Sequence, residues 1–434
     1  MKLKEFFDKD FKAFSIYDAY RSIPNIVDGF KPSQRKSIYG ILKKGGDEIK
    51  VARAAAAISE LTDYHHGEVS LEGAIIKLAQ DYPGTNNINL LVPEGQFGSR
   101  LTPEASASRY IFTAISENFR KLFKKEDDLI LKYLDSDGEQ IEPEYYYPIL
   151  PIVLINGSEG IGTGFASTIF NYNPKELKIW ILCYLKHNRT SNNLIPWYKG
   201  FNGKIYRNDI GQVIIEGKYE IVNTTTIRVT ELPLGIHQDK YKDILIKLQD
   251  KGVIKDFDDN SNESKWDFII TVPRTTTNFD HDKIMSTFKL ISRDTENYTL
   301  WTENNKIRNY GSVNNILIAF TDFRLKKYEE RRLKLIELLK ADLIWLEEKR
   351  RFVRYYLENH LNFAKKNKKQ LFKMLEENKF YNIDKLLKLP IYSLTKDEIE
   401  KLKNKINEIK ANIKEYKNTN SKEMYIKELE ELKL

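Results

Sequence analysis

The spacing of apolar residues changes character twice along this chain. The run Val51-Ala52-Arg53-Ala54-Ala55-Ala56-Ala57-Ile58 predicts a short alanine-rich helix whose small side chains permit close packing. Beyond a His65-His66-Gly67 turn, Leu71, Ile75, Leu78 and Ala79 recur at helical spacing, so two helices joined by a turn read as a helix-turn-helix. Pro32 opens a further helix after a Gly29-Phe30 turn. From about residue 167 the texture becomes short β-branched runs, Ile205-Tyr206, Val213-Ile214-Ile215, Ile221-Val222 and Thr226-Ile227-Arg228-Val229, which predict antiparallel strands. Phe268-Ile269-Ile270-Thr271-Val272 stops at Pro273, as a strand leaving a sheet does. From about 311 onward the sequence is rich in Lys, Glu, Leu and Ile. Ile336, Leu339, Leu343, Leu346, Val353 and Tyr356, and then Leu402, Ile406, Ile409, Ile413 and Tyr416, fall near heptad spacing. The segment Leu386–Tyr392 between them predicts an antiparallel coiled coil with a small globular tip. The expected fold is multidomain α+β, with a mainly helical unit over 1–166, an α/β block over 167–310 and a coiled coil over 311–434 whose tip lies around 358–400.

Composition narrows the function only a little. With 434 residues, 41% hydrophobic, the chain is long enough for two or three cores and too apolar for wholesale disorder. A formal charge of +8 suits a polyanionic partner without requiring one. The single cysteine, Cys183, excludes an internal disulfide framework and a cysteine-based zinc site, and suits a reducing compartment. Charges are spread through the first residues, and no segment approaches the roughly 18 apolar residues of a membrane span. A soluble, intracellular protein is expected.

Candidate chemistry centres on Ser106-Ala107-Ser108-Arg109-Tyr110-Ile111-Phe112, just after the glycine-bearing loop Glu94–Arg100. A tyrosine beside a fixed cation is what an enzyme needs to attack a phosphodiester and hold the broken end covalently. A free phenol has a pKa of about 10, so it needs help to act at neutral pH. Arg109 cannot take the proton, but it can stabilise charge building on phosphorus. Arg-Tyr pairs are common, and the company raises this one: His65-His66-Gly67-Glu68 lies upstream, preceded by Asp28–Lys36. Adjacent histidines do not have the spacing of zinc ligands on a helix. The glycines of Gly160-Ile161-Gly162-Thr163-Gly164 allow close backbone approach but lack the Gly-Lys-Ser/Thr of a phosphate-binding P-loop. The acidic runs Asp135–Glu139 and Asp256–Asn260 are expected to be solvated loops.

These blocks, followed in order by Pro148-Ile149-Leu150-Pro151 and Asn156–Gly164, resemble the breakage-reunion region of type IIA DNA topoisomerases. The His-His-Gly-Glu form is closer to eukaryotic and viral members than to bacterial gyrase. A stand-alone chain of this length is similar to the medium subunit of T-even phage members. The resemblance implies a winged-helix domain around the helix-turn-helix, a tower domain over 167–310, and a dimer gate at the coiled-coil tip. It makes Tyr110 the nucleophile, with Arg109, Arg35 and His66 catalytic. It further makes Arg21, Lys31, Lys36 and His65 DNA-binding, with Ile161 a wedge between base pairs. The implied reaction is ATP-dependent strand passage through a transient double-strand break held by 5′-phosphotyrosyl links. Mg2+ and ATP are expected on a partner subunit carrying ATPase and Toprim parts, in an A2B2-like assembly around a homodimer of this chain on double-stranded DNA. With no DNA-wrapping domain after Leu434, the complex is expected to relax and unlink DNA without introducing negative supercoils. The rival expectation is a non-catalytic helix-turn-helix scaffold dimerised by the coiled coil.

Overall fold

A computed structural model describes residues 3–190, 194–358 and 367–434. Two compact units emerge, Met1–Arg324 with Glu428–Leu434, and Leu325–Lys427.

In the first unit the helices Pro32–Lys43, Val51–Leu61 and Glu68–Ala79 pack on one another. The alanine-rich sequence explains how closely. Ala54, Ala55 and Ile58 are buried, and a Cβ on Gly40 would stand 2.4 Å from Ile58 Cγ1, so only glycine lets the first two helices meet there. The second and third form the expected helix-turn-helix, with Leu71, Ile75, Leu78 and Ala79 all on the buried face. A two-stranded ribbon, Ile49–Lys50 against Phe112–Thr113, closes its edge.

Antiparallel sheets follow. Strands Asp256–Asp259, Phe268–Thr271, Thr226–Glu231 and Lys218–Asn223 lie in that spatial order, and Ile291–Asp294, Val213–Glu216 and Lys204–Arg207 form a second sheet. Alternate residues Ile227, Val229, Phe268 and Ile270 face a core completed by Tyr241 and Leu245 of helix Gln238–Asp250. One expectation fails here. The Asp256–Asp259 run is an edge strand rather than a loop, because its alternation turns Phe257 and Asp259 inward, Phe257 against that core and Asp259 onto Lys242 and Gln238, while Asp256 and Asp258 face out. The other acidic run is a hairpin turn, with Asp137 and Gly138 both at positive φ between strands Tyr133–Ser136 and Glu139–Pro143.

In the second unit the later part of the 46-residue helix Val313–Glu358 pairs antiparallel with helix Lys396–Asn418. Arg332 Nη1 donates to the Tyr416 carbonyl at 2.8 Å, and Glu347 pairs with Lys410 at 2.7 Å. Lys349 pairs with Glu398 at 2.8 Å. Leu402, Ile406, Ile409 and Ile413 are buried along the seam, as the heptad pattern requires. Phe352, Val353, Leu375, Phe380, Ile383, Leu386 and Leu394 make a small core at the far end, where the tip is expected; residues 359–366 of that expected span lie outside the described residues.

Candidate active site and nucleic-acid groove

Tyr110 sits in a turn closed by its own N–H donating to the Ala107 carbonyl at 2.9 Å. The turn is fastened to the helix-turn-helix on both sides. The Ser108 and Ile111 carbonyls accept from Ala52 N and Val51 N at 3.2 and 3.0 Å, capping the open N-terminus of helix Val51–Leu61. Ser108 Oγ donates to Glu72 Oε1 of the neighbouring helix at 2.6 Å. The loop before the turn is held by Gln80 Nε2, which donates to the Phe97 carbonyl at 2.8 Å. On this fixed backbone the Tyr110 side chain is 67% exposed, and the Arg109 guanidinium lies 4.9 Å from its ring centre. The result is a held, water-accessible phenol beside a permanent positive charge.

A cleft of about 1130 Å³ gathers most of the other expected residues, Arg21, Lys31, Lys36, His65, His66 and Ile161; Tyr110, Arg109 and Arg35 do not line it. Arg21, His65 and His66 are exposed to it, together with Lys77 of helix Glu68–Ala79. Lys31 stands before the Pro32–Lys43 helix, and its Nζ donates to the Glu159 carbonyl at 2.7 Å. Burial, helped by Lys77, pulls the Lys31 ammonium below its ordinary range. Lys36 is half-buried and engaged by Glu142 at 2.8 Å and by the Thr62 carbonyl at 2.7 Å. His65 pairs with Asp63 at 3.0 Å.

His66 Nε2 is hydrogen-bonded to the Tyr17 hydroxyl, and its ring also packs edge-on against Tyr64. Desolvation, then Arg21 and His65, hold its pKa below the ordinary 6.5. Neutral imidazole is therefore the resting form at neutral pH.

Arg35, which the resemblance makes catalytic, is turned away from that cleft. Only 2% exposed, it makes a two-pronged pair with Asp28, Nε to Oδ2 at 2.7 Å and Nη2 to Oδ1 at 3.0 Å. Burial works against its charge, but the Asp28 carboxylate outweighs that and holds the guanidinium above its ordinary range. Asp28 also accepts from Phe30 N and Tyr146 N, so the pair knits the Asp28–Lys31 turn to the core. Arg324 is likewise turned inside, donating to the Pro148 carbonyl at 3.1 Å and pairing with Asp127.

Ile161 lies on the hairpin formed by Ser158–Gly162 and Phe165–Ile169 and is 80% exposed. Sequence reasoning passed over Tyr17 and Asp18, which touch His66 and Thr163, and Glu72, which holds Ser108. The available signal was helical spacing: Tyr17, Asp18 and Arg21 share one turn of helix Lys12–Ser22. Among the described residues no group of three or more His, Cys, Asp or Glu side chains is arranged to hold a metal ion. No described helix is long and apolar enough to cross a membrane.

A held phenol with its arginine, a cleft that gathers Arg21, Lys31, Lys36 and Lys77 beside a helix-turn-helix, and an exposed isoleucine on a hairpin agree with a breakage-reunion region of the type IIA DNA topoisomerases. Residues 21–431 match the family described as the A subunit of DNA gyrase/topoisomerase IV, and the chain belongs to that family. It is 37% identical over 396 residues to DNA topoisomerase 2 of Candida albicans, covering 88% of this chain and 27% of that protein. With the DNA topoisomerase 2 of Invertebrate iridescent virus 6 it shares 35% identity, covering 100% of this chain and 39% of the viral one. The crystal structure of the Plasmodium falciparum topoisomerase II DNA-binding, cleavage and re-ligation domain superposes with a TM-score of 0.92 at 36% identity, covering 99% of this chain and 63% of that one. The chain thus spans about a quarter to two-fifths of the length of these curated relatives.

Proposed function

We propose that this chain cleaves and rejoins DNA within a type II topoisomerase. The Tyr110 phenolic oxygen attacks a backbone phosphorus. A tyrosyl–phosphate bond forms as the bond to the deoxyribose 3′ oxygen breaks, and that oxygen leaves as a hydroxyl carrying the proton the phenol gives up. The 5′ end stays on the protein as a phosphodiester, so the hydroxyl can reverse the reaction with no outside energy. Arg109 stabilises charge on the five-coordinate phosphorus. Arg21, Lys31, Lys36 and His65 hold the backbone, and Ile161 enters a base step to bend it. Neutral His66 acts as a hydrogen-bonding partner of the sugar oxygen rather than as a standing acid. Arg35 works through the Asp28–Lys31 turn that it fixes.

Tyr110 does not line the cleft that collects the other groups. The reading therefore makes the centre composite: the phenol of one protomer works against DNA held by its partner copy, and a dimer cuts both strands. Winged-helix, tower and coiled-coil parts correspond to residues 1–166, 167–310 and 311–434, with dimer contacts at the winged helix and the tip. ATP and Mg2+ are assigned to a partner subunit bearing ATPase and Toprim parts, in an A2B2-like assembly that relaxes and unlinks DNA. The observation that carries the reading is the anchored, exposed Tyr110 with Arg109 against its ring, in a chain of this family. The scaffold alternative has no use for that arrangement.

The test mixes chain, partner, Mg2+ and plasmid and then adds detergent. Wild type should carry DNA covalently. Tyr110→Phe should carry none while binding the same DNA, with stability unchanged to within about 0.5 kcal/mol because the hydroxyl is exposed. Covalent DNA on the Phe variant would remove Tyr110 as the nucleophile.

A further inference from the structure

We propose that Asp18 is a positioning residue for the Ile161 wedge, fixing how far that side chain is held out for entry into a base step. The inference rests on the wedge reading above and adds to it a residue and a mechanical role.

An isolated two-stranded hairpin is marginally stable in water. A wedge mounted on one would fold back when pressed against stacked bases, since unstacking a step is costly. The hairpin here is braced by helix Lys12–Ser22. Asp18 Oδ2 accepts from Thr163 N at 2.7 Å and from Thr163 Oγ1 at 2.8 Å. Two donors of one turn residue on a single carboxylate oxygen fix both its distance and its rotation, and charge-assisted bonds are the stronger kind. Thr163 is two residues beyond Ile161, at the bend of the hairpin.

The strand carrying Ile161 lies directly on the helix backbone. A Cβ on Gly160 would stand 2.0 Å from the Ser22 carbonyl oxygen, and one on Gly162 would stand 3.1 Å from Ala19 Cα. At the base of the hairpin Lys31 Nζ holds the Glu159 carbonyl. The helix is fixed in turn, with Trp301 Nε1 donating to the Ala19 carbonyl at 3.1 Å. Ile161 thus projects from a strand held at its base by Lys31, along its back by the two glycines and at its tip by Asp18. Of these holds, the Asp18 bond is the one that acts on the bend itself.

The experiment uses the full chain at saturating concentration on a duplex carrying end dyes for the bend and 2-aminopurine at the kinked step for unstacking. Wild type should bend and unstack, and Ile161→Ala should lose most of both while keeping a measurable remainder. Asp18→Ala should lower the bent population about tenfold. Asp18→Asn and Thr163→Val should fall between, since each keeps part of the bond. In the Ile161→Ala background Asp18→Ala should change nothing further, which a merely structural role would not give. Full bending by Asp18→Ala, or an added loss in the double variant, would overturn the proposal. Should Asp18→Ala not fold, Thr163→Val decides, with a several-fold loss expected and no loss overturning it. A wild type that leaves the duplex straight removes the wedge reading itself, a result no variant is needed to see.

Discussion

At the residue scale, the chemistry proposed for Tyr110 and Arg109 comes from the sequence alone, because it lies in the side chains and their adjacency. What the sequence could not tell was which cations face solvent. Arg35 and Lys31 occur in one short block, yet Arg35 is engaged inside by Asp28 while Lys31 lines the cleft. The difference depends on a carboxylate at Asp28, seven residues away, turning inward. His66 carries a pH prediction. Its pKa is depressed in the folded chain, so the unfolded chain binds the proton more readily. The neutral form's contribution is complete above the ordinary 6.5 and is lost as pH falls through the lower folded value. NMR titration of the imidazole should place its midpoint below 6.5. His66→Gln, which keeps a hydrogen-bonding group, should retain at least tenfold more cleavage than His66→Ala and lose the acid limb of the pH profile. Equal loss in both variants would favour proton transfer instead.

At the element scale, periodicity predicted the helices and strands because one face of each is buried. It failed at Asp256–Asp259, where charge density masked a strand that turns Phe257 and Asp259 inward. The hairpin bearing Ile161 shows the converse limit. Its glycines read as freedom for the backbone near DNA, whereas Gly160 and Gly162 lie against helix Lys12–Ser22. Gly160→Ala should therefore cost about 1–3 kcal/mol through overpacking. Thermal unfolding and hydrogen exchange over residues 158–169 should show the loss, concentrated in that hairpin. An unchanged melting temperature with unchanged exchange would mean the contact yields without cost.

At the scale of the whole molecule, the heptad pattern specified two helices that pair, and the structure pairs them antiparallel with a small core at the tip. On the tip Ile391 is 84% and Tyr392 81% exposed. Large apolar side chains left this bare on a chain proposed to dimerise are candidate anchors. Tyr392→Ala should weaken self-association about thirtyfold, an anchor being worth about 2 kcal/mol. Sedimentation equilibrium measures it, and a dimer of unchanged affinity would place the gate contact elsewhere.

The sequence by itself determined which groups are available: the phenol, its arginine, the histidines, Ile161, and the periodic faces that bury one side of each helix and strand. These are local properties, fixed by side-chain chemistry and by spacing along the chain. Only the tertiary structure decided which charges are engaged and which are free. It also decided that Ser108 and Ile111 would cap a helix and so hold Tyr110 still, and that Asp18 would meet Thr163 across 145 residues. Such pairings follow from how folded segments pack, and no spacing in the linear chain encodes a distance between two of them.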